Sequence, residues 1–562
     1  MEYRKIFKNA KIIDVVNLEV YNGWFSVVNH FFEYVEKGRS PEDLSGEKIN
    51  VKGGYVVPGL IDAHMHIESS LVTPPRFAEA VIPHGTICIL QDPHELANVF
   101  GKNGVSFMIK NSKFLPLRIY IAIPSCVPTT RKNLETKNAI ISSEDVRNLA
   151  NNNEVIALGE VMDYNGVIEE NQEIMAIIQV AMDKGLSIEG HCPTLEGVNL
   201  SKYISCGIRS DHTLTNPKKT KEQLRKGMYV MLQKKSLSKG NINFIMNLKD
   251  RSRILLITDD ITPTVLLKGH LNEIVNTAIK NGWNSIDAIA SSSIRPANYL
   301  GIKDLGVIAP GKTASFFISK TLEVLKPESV FIKGEVFSTK NTFSTKGIKN
   351  FNNSLCIRKL KEIDFKVRRD NFTEEKLVNV IVANSENTVT TLDKEIIKFK
   401  NGFPFINEKD LVQVNVFRRN LQKPTGSVGF LKGLGMKRGA FATSFAHDSH
   451  NLLVVGKDPV SMTKAINIII KEGGGIAVVN GCQEIFLRLP IGGIITDAPV
   501  KEVALVTEKI EKTLRELGVL HKRPLTFLSV LSLSVSPYYK ISDLGIVDTE
   551  RTRILPLIVK EN

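Results

Sequence analysis

The stretch VPGLIDAHMHIESS, residues 57–70, sets an apolar run directly before two histidines one residue apart. In an extended chain, side chains two apart point to the same side, so His64 and His66 project together from the end of a strand. Imidazole is the commonest metal ligand, which makes this a ready-made pair. Spacing alone leaves a second reading open, a half-buried strand that carries two histidines.

Working outward, the texture of the chain changes at Pro58. Before it lie short β-like runs, KIIDVVNLEV (11–20), GWFSVVNHFF (23–32) and YVVPG (55–59), broken by Asn and Gly. After it, strand-like runs alternate with helical stretches. The strands are GTICILQ (85–91), RIYIAIP (118–124), VIALGE (155–160), LSIEGH (186–191), GIRSDH (207–212), MYVMLQ (228–233) and RILLITDD (253–260). Helical stretches include SSEDVRNLANN (142–152), NQEIMAIIQVAMDKG (171–185) and SKYISC (201–206). Such units repeated over about 240 residues are what a (β/α)8 TIM-like barrel requires, with its chemistry at the carboxyl ends of the strands. An open doubly wound sheet uses similar units.

Residues 305–337 return to short β runs that can complete the N-terminal β unit. A polar linker-like stretch, STKNTFSTKGIKNFNNS (338–354), follows, then a basic strand-like segment, IRKLKEIDFKVRR (357–369). The expected organisation is residues 1–57 as the N-terminal part of a small β unit, 58–302 as the barrel, 303–340 as the return segment, and 350–562 as a separate mixed α/β domain. In KEGGGIAVVNG (471–481) the glycines read as the end of a helix rather than a phosphate loop.

A chain of 562 residues exceeds one hydrophobic core, and 43% hydrophobic with 23% charged residues marks it as globular. Its net charge of +14 comes from 73 Lys+Arg against 59 Asp+Glu. Stretches such as NPKKTKEQLRKG (216–227) read as solvated faces, and no tract interleaves aromatic with basic residues as nucleic-acid binding would want. Six cysteines without a C-x-x-C pair suggest neither a zinc ribbon nor a disulfide framework. No signal-peptide core and no apolar run of about 18 residues is present, so a cytoplasmic protein without membrane partners is expected.

Several expected strands end in a ligand-type residue. LIDAHMH supplies His64 and His66, and ILQDPHE supplies Asp92, His94 and Glu95. IALGE ends at Glu160, SIEGH at His191, IRSDH at Asp211 and His212, and LLITDD at Asp259 and Asp260. In a barrel these converge on one mouth, and a mixed imidazole and carboxylate shell of this size suits two ions of zinc, manganese or iron. Far along the chain, FAHDSHN places His447, Asp448 and His450 within four residues. Cys192, in HCP, has no partner nearby and reads as a packing residue.

The order H-x-H, Glu, His, His, Asp resembles the amidohydrolase superfamily. More narrowly, VPGLIDAHMHIESS, QDPHELANVFG, PSCVPTT, IRSDH, TDD, GHLN and SFAHDSHNLLVVG together resemble the bacterial-type adenine deaminases. That resemblance implies a metal-dependent barrel with a flanking β-sandwich and an added C-terminal domain. It implies two divalent ions, manganese or iron foremost with zinc possible. His64, His66 and Asp259 would hold the first, Glu160 would bridge, and His191 and His212 would hold the second. Coordination can bring the pKa of water from 15.7 to about 7, and the implied reaction is attack of that hydroxide on C6 of adenine, giving hypoxanthine and ammonia. Asp259 or Asp260 would accept the proton, and Glu95 would be an acid or a further ligand. Asp92, His94, His447, Asp448 and His450 would contact the base or close over it. Related barrels are often dimers, so a homodimer acting on a small purine is the expectation.

The chain departs from the family's pattern at Thr213, where a glutamate is usual, at Ile261 and Thr262, where a basic residue and a histidine are usual, and at Asp163, where asparagine is usual. Lost polar contacts to a substrate alter specificity strongly. The alternative activity is hydrolysis of another purine or cyclic amidine or amide on the same fold. A metal-free binding protein on this fold is the reading from outside enzymology, and the full ligand set argues against it.

Overall fold

Nine short segments form parallel strands, in one sheet of six and one of three, in the computed structural model, which describes residues 3–130, 133–367 and 373–559. They are β1 (Leu60–His66), β2 (Thr86–Gln91), β3 (Arg118–Ile123), β4 (Val155–Val161), β5 (Ser187–Gly190), β6 (Ser210–Asp211), β7 (Tyr229–Leu232), β8 (Ile254–Leu256) and β9 (Asp259–Asp260). Each of β1 to β4 pairs in parallel with the next, as do β6 with β7 and β7 with β8. The amide of Arg209, entering β6, donates to the Ile188 carbonyl in β5 at 3.1 Å. The eighth barrel strand is interrupted, and its second half, β9, pairs in parallel with β1 through Asp259–Met65 and Asp260–His66. The two sheets, of six and three strands, together make the (β/α)8 barrel.

Strands buried on both faces read as continuous apolar runs, and β1 and β2 have no exposed residue. Ile61, Ala63, Leu90, Ala122, Ala157, Met231 and Leu255 share one core. The covering helices carry ordinary start signals. Ser142 and Asp145 form a reciprocal capping box at Ser143–Leu149, and Asn171 caps Gln172–Asp183, which buries Ile174, Ile177, Ile178 and Ala181.

The first and last parts of this unit share one sheet of eight strands. Phe316–Ser319, from the return segment, pairs antiparallel with Tyr55–Pro58, which in turn pairs with Lys5–Asp14. Phe7 stacks on Phe25 at 4.6 Å between ring centroids, and Phe316 on Phe331 at 4.7 Å, so residues separated by some 300 positions complete one aromatic core. Arg118, at the start of β3, grips Asp304 with two hydrogen bonds of 2.7 and 2.8 Å, and Thr313 donates to the same carboxylate. The Arg118 guanidinium and burial set opposing pulls on Asp304, and the guanidinium wins, holding the carboxyl at about 2. A depressed carboxyl stabilises above its unfolded pKa of about 3.9 and stops doing so as pH falls through the folded value. Asp304 is partly exposed, so solvent screening reduces its worth. Asp304→Asn is expected to cost about 1 kcal/mol in urea unfolding at pH 7, with the gap to the parent closing between about pH 4 and 2.

A second compact unit comprises residues 94–107, 126–141 and 346–562. The first two of these stretches fall inside the span that the sequence assigns to the barrel. The unit is built on a nine-stranded sheet flanked by helices Pro459–Glu472 and Val500–Glu516, with a three-stranded sheet over Tyr539–Leu555. Asp458 caps the first helix by accepting from the Ser461 amide, and Gly473, at φ 78°, ends it. The glycines of KEGGGIAVVNG are thus a helix stop. The basic stretch 357–367 is not a strand but carries a single turn at Glu362–Phe365, and residues 368 and 369 lie outside the described residues. Among the described residues, no helix is long and apolar enough to cross a membrane.

Candidate active site

The carboxyl ends of β1, β4, β5, β6 and β9 bring His64, His66, Glu160, His191, His212 and Asp259 together. Glu160 sits at the centre. Its Oε1 lies 3.4 Å from His66 Nε2, and its Oε2 lies 2.6 Å from His191 Nδ1 and 3.1 Å from His212 Nε2. Asp259 Oδ1 lies 3.5 Å from His66 Nε2 and 3.8 Å from His64 Nε2. His64 stacks on His212 with centroids 4.0 Å apart, which links the two halves. Asp259 adopts φ 59°, a left-handed conformation that aspartate tolerates better than most residues, just past the break in the eighth barrel strand.

Electrostatics make this a place for cations. Burial disfavours charge on Glu160, yet the His191 and His212 imidazoles hold its carboxyl well below the usual range. Burial also opposes ionisation of Asp259, which its hydrogen bond to His66 and the neighbouring histidines overcome in the same direction. His64 is pushed well below its ordinary value by burial, His212 and His66, which keeps it the neutral imidazole that ligates metals. Its Nε2 is buried with no hydrogen-bond partner among the described residues. Such an orphaned acceptor costs stability unless something electrophilic meets it. The donor set, four imidazoles and two ionised carboxylates, fits divalent ions, and overlapping ligand groups on either side of Glu160 fit two of them.

Residues behind these candidate ligands aim them. Asp92 is expected from the sequence on the substrate side, but it is buried and turned to the scaffold. Its carbonyl accepts from His66 Nδ1 at 2.9 Å and its carboxylate accepts from the Glu160 amide at 3.0 Å. A Cβ on Gly159 would stand 2.1 Å from Asp92 Oδ2, so glycine there admits this carboxylate. Asp92→Ala is expected to weaken metal binding about 10–100-fold in Mn²⁺ titrations of the apoprotein, since partners that orient ligands carry that much affinity.

Asp211 performs the matching task on the other side, a role sequence reasoning did not assign. It accepts from the Cys192 amide, Gln223 and Lys219, and Thr213 Oγ1 donates to it. These bonds tie the segment after His191 to the strand end that carries His212, and the only signal in the sequence was the Asp-His pair. Thr213 is thereby committed to Asp211. Ile261 is buried, Thr262 pairs with Thr264, and Asp163 caps the turn Tyr164–Ile168. Asp260 is exposed and accepts from Ser69.

His94, Glu95, His447, Asp448 and His450 gather within the second unit. Glu95 lies 2.5 Å from both His447 Nδ1 and His450 Nε2. Burial would raise its carboxyl, but His447, His450 and His94 hold it well below the usual range. Of the two roles the sequence suggests for Glu95, acid or further ligand, a carboxylate kept ionised by imidazoles suits the ligand.

A (β/α)8 barrel whose strand ends present four histidines, a shared glutamate and an aspartate defines a metal-dependent hydrolase of the amidohydrolase type, and residues 55–347 match the amidohydrolase family. Residues 387–553 match the adenine deaminase C-terminal domain. An adenine deaminase of Clostridium perfringens is 35% identical over 97% of this chain and 99% of its own, and one of Archaeoglobus fulgidus is 34% identical over 98% and 95%. A solved adenine deaminase structure aligns with a TM-score of 0.46 at 13% identity, over 60% of this chain and 100% of that one. The chain belongs to the adenine deaminase family.

Proposed function

We propose that this protein hydrolyses adenine to hypoxanthine and ammonia at the barrel site. The observation that supports it most is Glu160, set between His64, His66 and Asp259 on one side and His191 and His212 on the other. In this reading His64, His66 and Asp259 hold one divalent ion, His191 and His212 hold the other, and Glu160 serves both. Bound metal would supply an acidified water near neutral pH and polarisation of the reacting ring. Asp259, held ionised, is the group that accepts the proton, through the carboxylate oxygen not turned to His64 and His66, a step typically worth about 10²–10⁴-fold. Asp260 keeps a supporting role through Ser69.

Manganese or iron suits the two carboxylates of this shell, and zinc suits its imidazoles. Six free cysteines agree with a reducing cytoplasm as the setting.

The test is ammonia release from adenine by protein reconstituted with Mn²⁺, beside a His64→Ala, His66→Ala variant. Turnover in the parent and none in the variant is the expected result. No turnover with both ions bound would reject adenine and favour another purine or cyclic amidine, with Thr213, Ile261 and Thr262 as the positions to exchange.

A further inference from the structure

We propose that the second unit holds a metal ion of its own, bound by His94 Nε2, Glu95 Oε1, His447 Nδ1 and Asp448 Oδ1. All four residues are buried, with exposures of 6, 0, 8 and 1%. Their ligand atoms lie within 4.8 Å of one another. Four ligands about 2.1 Å from a tetrahedral ion stand about 3.4 Å apart. The edges found are 3.6 Å for His94–Glu95, 3.9 Å for His94–Asp448, 3.6 Å for His447–Asp448 and 2.5 Å for His447–Glu95. Three of these four match an open tetrahedron that an ion would draw in slightly.

The surroundings strengthen the assignment, because each carboxylate is fixed through the oxygen it does not need. His450 Nδ1 accepts from the Ala446 amide, so its Nε2 carries the proton and donates to Glu95 Oε2. Thr129 Oγ1 donates to Asp448 Oδ2 at 2.8 Å. Glu95 Oε1 and Asp448 Oδ1 are left facing the two imidazoles. This is how proteins orient metal ligands. The Phe445 ring, 4.9 Å from His447 and 5.5 Å from His450 between centroids, covers one side.

A buried carboxylate pair requires positive charge close by. One divalent ion supplies it at a single point. Four protein ligands complete a tetrahedral shell and leave no position for substrate, which makes this a structural site, with two imidazoles and two carboxylates suiting zinc before manganese or iron. Its effect is to pin the segment after Ala440–Thr443 to the helix His94–Phe100, elements whose contacting residues Glu95 and His450 are 355 positions apart. The inference does not rest on the substrate of the barrel site.

The experiment counts metal per chain in full-length protein loaded with Zn²⁺ and dialysed. A His66→Ala, Glu160→Gln, His212→Ala variant removes a ligand from every candidate group named above for the barrel site. It is expected to retain one ion per chain and, loaded with Co²⁺, to show the intense visible band of a tetrahedral site. Adding His94→Ala and His447→Ala should remove the ion, and adding Asp448→Asn instead should shift the band while far-ultraviolet circular dichroism stays unchanged. A natively folded triple variant without metal would overturn the proposal. So would an ion that survives the His94 and His447 changes, or a band indifferent to Asp448→Asn.

Discussion

Glu160→Gln is expected to lower kcat/KM for adenine by about 10³-fold or more and to strip metal from the barrel site. The side chain is 4% exposed, so the amide inherits the carboxylate's place without disturbing packing. What it loses is charge. His66, His191 and His212 all lie within 3.4 Å of the two carboxylate oxygens, and a neutral amide cannot serve ions on both sides. Metal polarisation is worth several kcal/mol in a transition state, and each 1.36 kcal/mol is tenfold in rate. Steady-state ammonia release, metal content and far-ultraviolet circular dichroism on one preparation give the answer. A fall of less than tenfold with both ions retained would remove the shared role from Glu160. Asp260→Asn is the contrast, since an exposed carboxylate engaged by Ser69 should matter far less.

The barrel was legible in the sequence because strands buried on both faces cannot alternate polar and apolar residues. GTICILQ and RIYIAIP are apolar almost throughout, and each matches a strand to within a residue or two. The gathering of the candidate ligands was legible for a related reason: polar residues ending such runs have nowhere to point but the mouth. The same logic misassigned Asp92. It ends a run as the ligands do, but the sequence does not tell that Gly159 vacates space for its carboxylate. Asp211 was hidden by its neighbour His212, because its partners Cys192, Lys219 and Gln223 come from two other segments.

The grouping of Glu95 with His447 and His450 was out of reach. Spacing reports neighbours within a turn or a strand, and these residues meet only through the tertiary fold. Local rules still succeeded where the cause was local, as at Gly473, where the left-handed stop after a helix needs glycine. They failed on 357–367, where alternating basic and apolar residues look like a strand but make no ladder.

Lys540→Met is expected to stabilise the second unit at neutral pH. Lys540 lies on the strand Tyr539–Ser542 with 1% exposure, and its Nζ donates to the Thr388 carbonyl at 2.7 Å. Burial alone pushes its ammonium down to about 7, against about 10.4 in an unfolded chain. Between these values the unfolded state binds one more proton than the folded state, so stability rises with pH across that window. Below about 7 both states are charged and the full cost of burying the ammonium is borne, about 5 kcal/mol at 1.36 kcal/mol per unit. Methionine fills a similar volume without charge but forfeits a hydrogen bond worth about 1 kcal/mol, so the net gain at pH 7 is about 3–4 kcal/mol. Hydrogen exchange of amides in the nine-stranded sheet, with urea midpoints at pH 7 and 10, measures it. The advantage of the variant should shrink steadily as pH rises and vanish near the top of the window. A variant advantage independent of pH would assign the gain to packing, and no advantage at pH 7 would show that the Thr388 carbonyl and its surroundings already solvate the ammonium.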